Sequence, residues 1–216
     1  MRIIAGRFRR RTLETNPGLI TRPITDRVKE SLFARLESEL PNRRVADIFA
    51  GTGTIGLEAL SRGAKRITFI EKDRKAVELL RENVRKLKVE DETLIWPCDV
   101  LRCSFRPQRA EEFTPFDVIF FDPPYKMVPD LTAGTPLSRA VHKLAEPRVS
   151  SSGALLLLRV PEHSQFELPP VWTCEWTLTM SNMSILHLRK TPLAEDPVDL
   201  DDEAPPLLTP DSVDAG

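Results

Sequence analysis

Hydrophobic and polar positions through the middle of the chain switch repeatedly between two periods. Apolar runs at Arg44–Phe49, Arg66–Ile70 and Phe116–Phe121 predict buried strands, and Leu94–Trp96 predicts a shorter one between the last two. Helices are predicted over Ile55–Arg62 and over Arg74–Leu87, where Val77, Leu80, Val84 and Leu87 recur at helical spacing. Leu137–Ala145 adds a helix and Ala154–Val160 a fifth strand. Trp172–Met180 and Ser184–Arg189 close the pattern as an antiparallel pair. Strands alternating with helices of about 10–15 residues argue for an α/β fold with a largely parallel, doubly wound sheet. Such sheets bind ligands beyond the carboxyl ends of their strands, where the strand order reverses.

Three zones follow. Residues 1–40 form a basic extension with a hairpin, in which Ile3–Ile4 and Thr12–Leu13 are short strands. A helix comes next, with Thr25 or Asp26 as N-cap and Val28, Leu32, Phe33 and Leu36 on one face. Residues 41–190 carry the alternating pattern. Residues 191–216 are rich in Pro and acids with few large apolar residues, the composition of a disordered tail. No internal repeat is visible.

Composition excludes some classes. The 41% hydrophobic and 29% charged shares are those of an ordinary globular chain. No apolar run approaches the roughly 18–20 residues needed to cross a bilayer, and the N-terminus lacks a secretory core, so the expected compartment is the cytoplasm. Three cysteines (Cys98, Cys103, Cys174) without a CxxC pair, and three scattered histidines, suggest neither disulfides nor a metal site. The formal charge of −1 conceals an asymmetry: eight acids and no base lie from Glu195 onward, leaving 31 basic against 24 acidic residues before it. Arg2, Arg7, Arg9, Arg10 and Arg11 stand together without an acid. A basic body suits a polyanionic partner, although a solvated charged face would look the same.

The first strand runs into Asp47-Ile48-Phe49-Ala50-Gly51-Thr52-Gly53-Thr54-Ile55-Gly56, whose three glycines satisfy GxGxxG. Glu71, 18 residues beyond Gly53, ends the second strand, where an acid can accept hydrogen bonds from the ribose hydroxyls of an adenosine. NAD and S-adenosylmethionine both satisfy that much. Asp47, four residues before the first glycine, shifts the balance: its carboxylate would oppose a pyrophosphate but could meet a ligand's ammonium group. Asp99, after the third strand, is placed to contact an adenine amino group.

Asp122-Pro123-Pro124-Tyr125 terminates the buried Phe116–Phe121 run. Prolines end a central strand and stiffen the loop after it, which can aim the Asp122 carboxylate and the Pro123 carbonyl at one point. Two acceptors there would hold the hydrogens of an exocyclic amino group and free its lone pair, which is catalysis by positioning. Tyr125 supplies a face on which a flipped base can stack. A tight turn after a strand would use similar residues, so the motif's weight comes from its order after Asp47–Gly56, Glu71 and Asp99.

Three further stretches carry a resemblance. Arg2-Ile3-Ile4-Ala5-Gly6, Thr21-Arg22-Pro23-Ile24-Thr25-Asp26-Arg27-Val28-Lys29-Glu30-Ser31-Leu32-Phe33 and Gly56-Leu57-Glu58-Ala59-Leu60-Ser61-Arg62-Gly63-Ala64 resemble the bacterial RsmD family over about residues 1–190. The resemblance implies a Rossmann-like class I methyltransferase with a mostly parallel seven-stranded sheet, helices on both faces and a small N-terminal hairpin and helix. It implies methyl transfer from S-adenosylmethionine to N2 of one guanine of 16S rRNA, guanine 966, in a small-subunit assembly intermediate. A monomer is expected, although no residue pattern bears on oligomeric state. Asp47, Phe49, Gly51, Gly53, Glu71 and Asp99 would then hold the cofactor. Asp122, Pro123 and Tyr125 would receive the base, and Arg7, Arg9, Arg10, Arg11, Arg22, Arg27 and Tyr125 would contact RNA. Two departures stand out: Arg10 occupies a position where a glycine is common, and Lys126–Pro136 is longer than usual. Rival readings are an amino-methyltransferase for adenine or cytosine, a nicotinamide-dependent oxidoreductase, and an RNA-binding module without activity. The oxidoreductase leaves Asp122–Tyr125 unexplained, and the inactive module would be expected to have lost the glycine loop.

Overall fold

The computed structural model describes residues 1–15 and 24–191. Its seven-stranded sheet has the order β3-β2-β1-β4-β5-β7-β6, built from β1 (Arg44–Ile48), β2 (Arg66–Glu71), β3 (Thr93–Pro97), β4 (Phe116–Phe121), β5 (Ser150–Pro161), β6 (Trp172–Met180) and β7 (Met183–Lys190). The first five pair in parallel, and β7 is antiparallel to both β5 and β6. Crossovers run outward from β1 to β2 and β3, then return to β4 on the other side of β1, so the strand order reverses between β1 and β4. Both the mostly parallel sheet and the closing antiparallel pair match the periodicity of the sequence.

Side chains alternate across this sheet as the pleat requires. Val45, Val118 and Phe120 enter one core with α1 (Asp26–Arg35), α2 (Thr54–Ser61) and α3 (Arg74–Leu87), while Ala46, Ile48, Ile119 and Phe121 enter the other with α4 (Pro136–Lys143). The second layer is thinner. Between β3 and β4 the chain makes only 3-10 turns at Val100–Arg102 and Glu111–Phe113 instead of a crossover helix. The long Lys126–Pro136 stretch is partly taken up by a 3-10 turn over Tyr125–Asp130 that buries Val128 against this face.

The N-terminal extension shares the first core, since Ile3, Leu13, Val28, Leu32, Phe33 and Leu36 are buried with Leu57, Leu60 and Ile67. Its hairpin is narrower than two paired strands: one bridge joins Arg2 and Thr12, flanked by Ile3 N–H to Arg11 O at 3.0 Å and Leu13 N–H to Met1 O at 2.8 Å. Arg10 sits in its turn at φ +70°, the left-handed conformation that explains why glycine suits that position. Thr25 caps α1 by accepting from Val28 N, as the sequence suggested.

What clamps the extension is a buried charge cluster. Lys29 and Glu58 are both fully buried, with Lys29 Nζ 3.3 Å from Glu58 Oε2 and 2.7 Å from Arg2 O. Glu58 also accepts from Ile4 N at 2.8 Å, Ala5 N at 3.1 Å and Arg62 Nε at 2.8 Å. Gly6 packs so closely that a Cβ would lie 1.8 Å from Ser61 O. The three stretches that carry the family resemblance therefore meet here and hold one another. Thr21, Arg22 and Pro23, and the acidic tail from 192 onward, lie outside the described residues.

Candidate active site at the carboxyl ends of the strands

β1 delivers Asp47 and Ile48 and then turns at Phe49, which adopts φ +62°. A left-handed conformation costs a non-glycine residue about 1–2 kcal/mol. Here it is held by Phe49 N–H and Ala50 N–H donating to Ile70 O at 3.0 and 3.2 Å, and by the Phe49 ring resting edge-on against Phe121 at 5.4 Å. Gly51 and Gly53 follow at φ +55° and +80°. The glycines serve different ends. A Cβ on Gly53 would lie 2.3 Å from Leu80, and one on Gly56 2.4 Å from the Phe69 ring, so these two let α2 close on its neighbours. A Cβ on Gly51 would meet nothing within 4 Å; that face of the loop is open to a ligand.

Three acids border the loop. Asp47 is almost fully buried, and its Oδ2 accepts from Gly56 N at 2.8 Å. Burial pushes its carboxyl up to about 8, opposed by the Gly56 hydrogen bond and reinforced by the negative charges of Asp122 and Glu71. Glu71 Oε2 accepts from Gly51 N, and Oε1 accepts from Lys72 N and Asp73 N, each at 2.8 Å. A carboxylate offers about four lone-pair sites. Glu71 can thus take a further O–H on Oε2, whereas two hydroxyls would require one of these bonds to open. Asp99 begins the Val100–Arg102 turn by accepting from Leu101 N at 3.1 Å, and it pairs with Lys72 Nζ at 3.3 Å. Desolvation is the largest single influence and acts the other way, but these hydrogen bonds and the Lys72 and Arg102 charges together hold its carboxyl below the usual range.

Across the reversal of strand order, Asp122 continues β4, its N–H reaching Ile48 O at 3.2 Å. Pro123 is buried, and Pro124 O receives Met127 N at 2.7 Å, so the stiff turn passes directly into the 3-10 segment that carries Tyr125. Asp47, Phe49, Gly51, Gly53, Glu71, Asp99, Asp122, Pro123 and Tyr125 thus come from four strand ends at one edge of the sheet. Burial raises the Asp122 carboxyl, while the guanidinium of Arg159, whose Nε lies 2.6 Å from Asp122 Oδ1, pulls it down.

Arg159 is a residue that reading the sequence missed. The available signal was a lone cation ending the apolar Ala154–Leu158 run. Asn83 was missed as well. Fully buried on α3, it donates to Thr52 O in the glycine loop at 3.0 Å and exchanges two hydrogen bonds with the backbone of Glu14.

The arginines divide differently from the acids. Arg7 donates its backbone N–H to Ser61 O at the C-terminal end of α2 and pairs with Glu92, just before β3. Both partners lie where the parallel strands begin, roughly 15–20 Å of strand away from the acids. Arg9, Arg10 and Arg11 are exposed on the same hairpin, and Arg27 is exposed on α1.

A parallel sheet reversing between β1 and β4, closed by an antiparallel β6–β7 pair, with a glycine loop and acidic strand ends at the reversal, defines the fold of a class I methyltransferase. Residues 1–180 match the family described as "Conserved hypothetical protein 95". The "Ribosomal RNA small subunit methyltransferase D" of Haemophilus influenzae is 33% identical over 178 residues, covering 80% of this chain and 85% of that protein. The protein of the same name from Escherichia coli K12 is 40% identical over 128 residues, 58% of this chain and 61% of that one. A solved candidate methyltransferase of Escherichia coli, yhhF, superposes with a TM-score of 0.72 at 30% identity, covering 88% of this chain and 97% of that one. The chain belongs to the RsmD family.

Proposed function

We propose that this protein transfers a methyl group from S-adenosylmethionine to the N2 amino group of a guanine of 16S rRNA, guanine 966, during small-subunit assembly. The observation that carries the reading is the rigid Asp122-Pro123-Pro124-Tyr125 turn set beside the glycine loop at the strand reversal. The donor fits the residues present. The open face of Gly51 would admit a ligand against the main chain, Glu71 retains acceptor capacity for a ribose hydroxyl, Asp99 just past the end of β3 would accept from an adenine amino group, and Asp47 would meet a cation. Bound there, S-adenosylmethionine supplies an electrophilic methyl group.

The chain's own work is positional. Asp122 Oδ2 and the Pro123 carbonyl accept the two N–H bonds of the base, turning the nitrogen lone pair out of conjugation with the ring. Tyr125 stacks on the base, worth about 1–3 kcal/mol. Asp122 orients more than it deprotonates, because the surplus proton can leave after transfer. Phosphates of the RNA are met by Arg9, Arg10, Arg11 and Arg27, with Arg22 as a further contact. Arg7, already paired with Glu92, supports the hairpin as well as its charge. The names of the relatives support ribosomal RNA as the substrate class.

Mapping modified nucleotides in 16S rRNA from cells with and without the gene tests the acceptor. Loss of one N2-methylguanine is expected, and loss of a methylated adenine or cytosine instead would replace guanine as the target. Calorimetry with S-adenosylhomocysteine against NAD tests the cofactor, and binding of NAD alone would overturn it.

A further inference from the structure

We infer that Arg159 is a positioning residue for methyl transfer: its Nε–H holds Asp122 Oδ1 and keeps this carboxylate an acceptor, leaving Oδ2 to the amino group of the base. The inference rests on the role proposed above for Asp122.

The geometry is specific. β4 and β5 pair in parallel with Phe121 opposite Leu158, so the next residues along, Asp122 just past the end of β4 and Arg159 within β5, are brought side by side. The Nε–Oδ1 distance of 2.6 Å is short, as expected between charged partners. The Arg159 side chain is only 11% exposed, and its guanidinium carbon lies 5.8 Å from the centre of the Tyr125 ring. Arg159 therefore touches two of the three residues expected to hold the base. A cation at the end of the run Ala154–Leu158 is costly to bury unless it is paired, and the pair it makes is inside the site.

Charge explains why the pair is needed. Asp47 on β1 and Glu71 on β2 add two carboxyl groups to the side of the site that Asp122 faces, and Asp122 raises the Asp47 carboxyl. Lys72, the cation on the β2 side, pairs with Asp99 instead. Among the described residues, the charged groups bearing on Asp122 are Asp47 from β1 and Arg159 from β5, with Glu71 beyond Asp47, and Tyr125 contributes a phenol from the same loop. Burial favours the neutral acid at Asp122, and Arg159 opposes it by charge and hydrogen bond. A protonated Asp122 would offer an O–H where the base offers N–H groups, and the two donors would repel. Removing Arg159 should move protonation to higher pH, so that activity fails first at low pH.

The test compares the full-length protein with Arg159→Gln, Arg159→Lys and Asp122→Asn, using 16S rRNA from cells lacking the gene and a labelled methyl donor. For Arg159→Gln, the acid limb of kcat/KM should move up by about one pH unit or more, with most of the rate regained near pH 9. Arg159→Lys should shift the limb less. The Asp122 carboxyl carbon, followed by NMR without any ligand, should titrate higher in Arg159→Gln than in the parent. S-adenosylhomocysteine affinity should stay within about threefold, showing an intact cofactor site. If Arg159→Gln does not fold, Arg159→Lys carries the comparison. A loss of the same factor at every pH, or a rise in KM for RNA with an unmoved limb, would assign Arg159 to packing or phosphate contact and overturn the inference. Full activity in Asp122→Asn would instead overturn the reading of Asp122 itself.

Discussion

Glu58 on α2 and Asp47 on β1 are buried in the same layer of the molecule, but the protein solvates them very differently. Glu58 receives two backbone N–H groups and Arg62, and pairs with a buried Lys29. Asp47 receives Gly56 N–H and faces the like charges of Asp122 and Glu71. A buried carboxylate whose lone pairs are filled acts as a clamp. One left short of donors is costly in the absence of a ligand and responds when a cation arrives. The extension end of the molecule is built in the first way and the strand-end site in the second.

The largest expected effect breaks the clamp. Glu58→Ala strands Lys29 without its counter-charge and should cost about 3–5 kcal/mol in urea unfolding. Protein that remains folded should still bind S-adenosylhomocysteine, and a stability close to the parent's would show that the cluster is not a clamp. Asp122→Asn should do the converse, lowering single-turnover methyl transfer roughly 10²–10³-fold, or about 3–4 kcal/mol, with a smaller loss of stability than Glu58→Ala, because the amide oxygen still accepts from Arg159 Nε–H although the counter-charge is gone.

Asp47 offers a smaller, pH-dependent effect. Its folded carboxyl lies near 8, above the ordinary 3.8, so the folded state holds the proton more tightly than the unfolded chain. The stability it contributes is fully present below the unfolded value and is lost as pH rises through the folded one. Asp47→Asn keeps an acceptor for Gly56 N–H and removes that loss. Its stability relative to the parent should climb between about pH 4 and 8, reaching at least ~1 kcal/mol by thermal unfolding at the upper end. A flat difference would mean that Asp47 is as well satisfied as Glu58. Cofactor binding should weaken in the same variant.

The smallest effect concerns the hairpin. Arg10→Gly relieves the strain of φ +70° but gives the unfolded chain more freedom, so net stability should change by no more than about 0.5 kcal/mol. The salt dependence of RNA binding should nevertheless shallow by about one counterion, and an unchanged slope would mark Arg10 as a solvated surface charge.

Much of the architecture was legible in advance. The spans of α3, β4 and β6 agree residue for residue with the hydrophobic pattern, because each element's apolar period is long enough to be unambiguous. Gly51, Gly53, Asp122 and the two prolines announced the ends of β1 and β4 through backbone chemistry that acts locally. The hairpin was anticipated with two short strands, Ile3–Ile4 and Thr12–Leu13, but its pairing shrank to one bridge, because the N–H groups of Ile4 and Ala5 turn to the Glu58 carboxylate instead of extending a ladder. The acids stand at the strand ends, as the sequence pattern implied, yet their bonding was not foreseeable: Glu71 spends three acceptor sites on backbone N–H groups, one of them in the glycine loop. Lys29 and Glu58 look like surface charges in sequence, and only packing reveals them as an interior pair.

Taken by itself, the sequence determined the alternation of strands and helices, the glycine loop and the stiff turn after β4, since periodicity, glycine and proline act over a few residues. Only the tertiary structure decided which carboxylates are saturated and which are left wanting. It placed Arg159 against Asp122, 37 residues away, by pairing β4 with β5, and it drew Asp122 close enough to Asp47 to raise its carboxyl. Desolvation and charge depend on neighbours in space, and no local pattern along the chain encodes them.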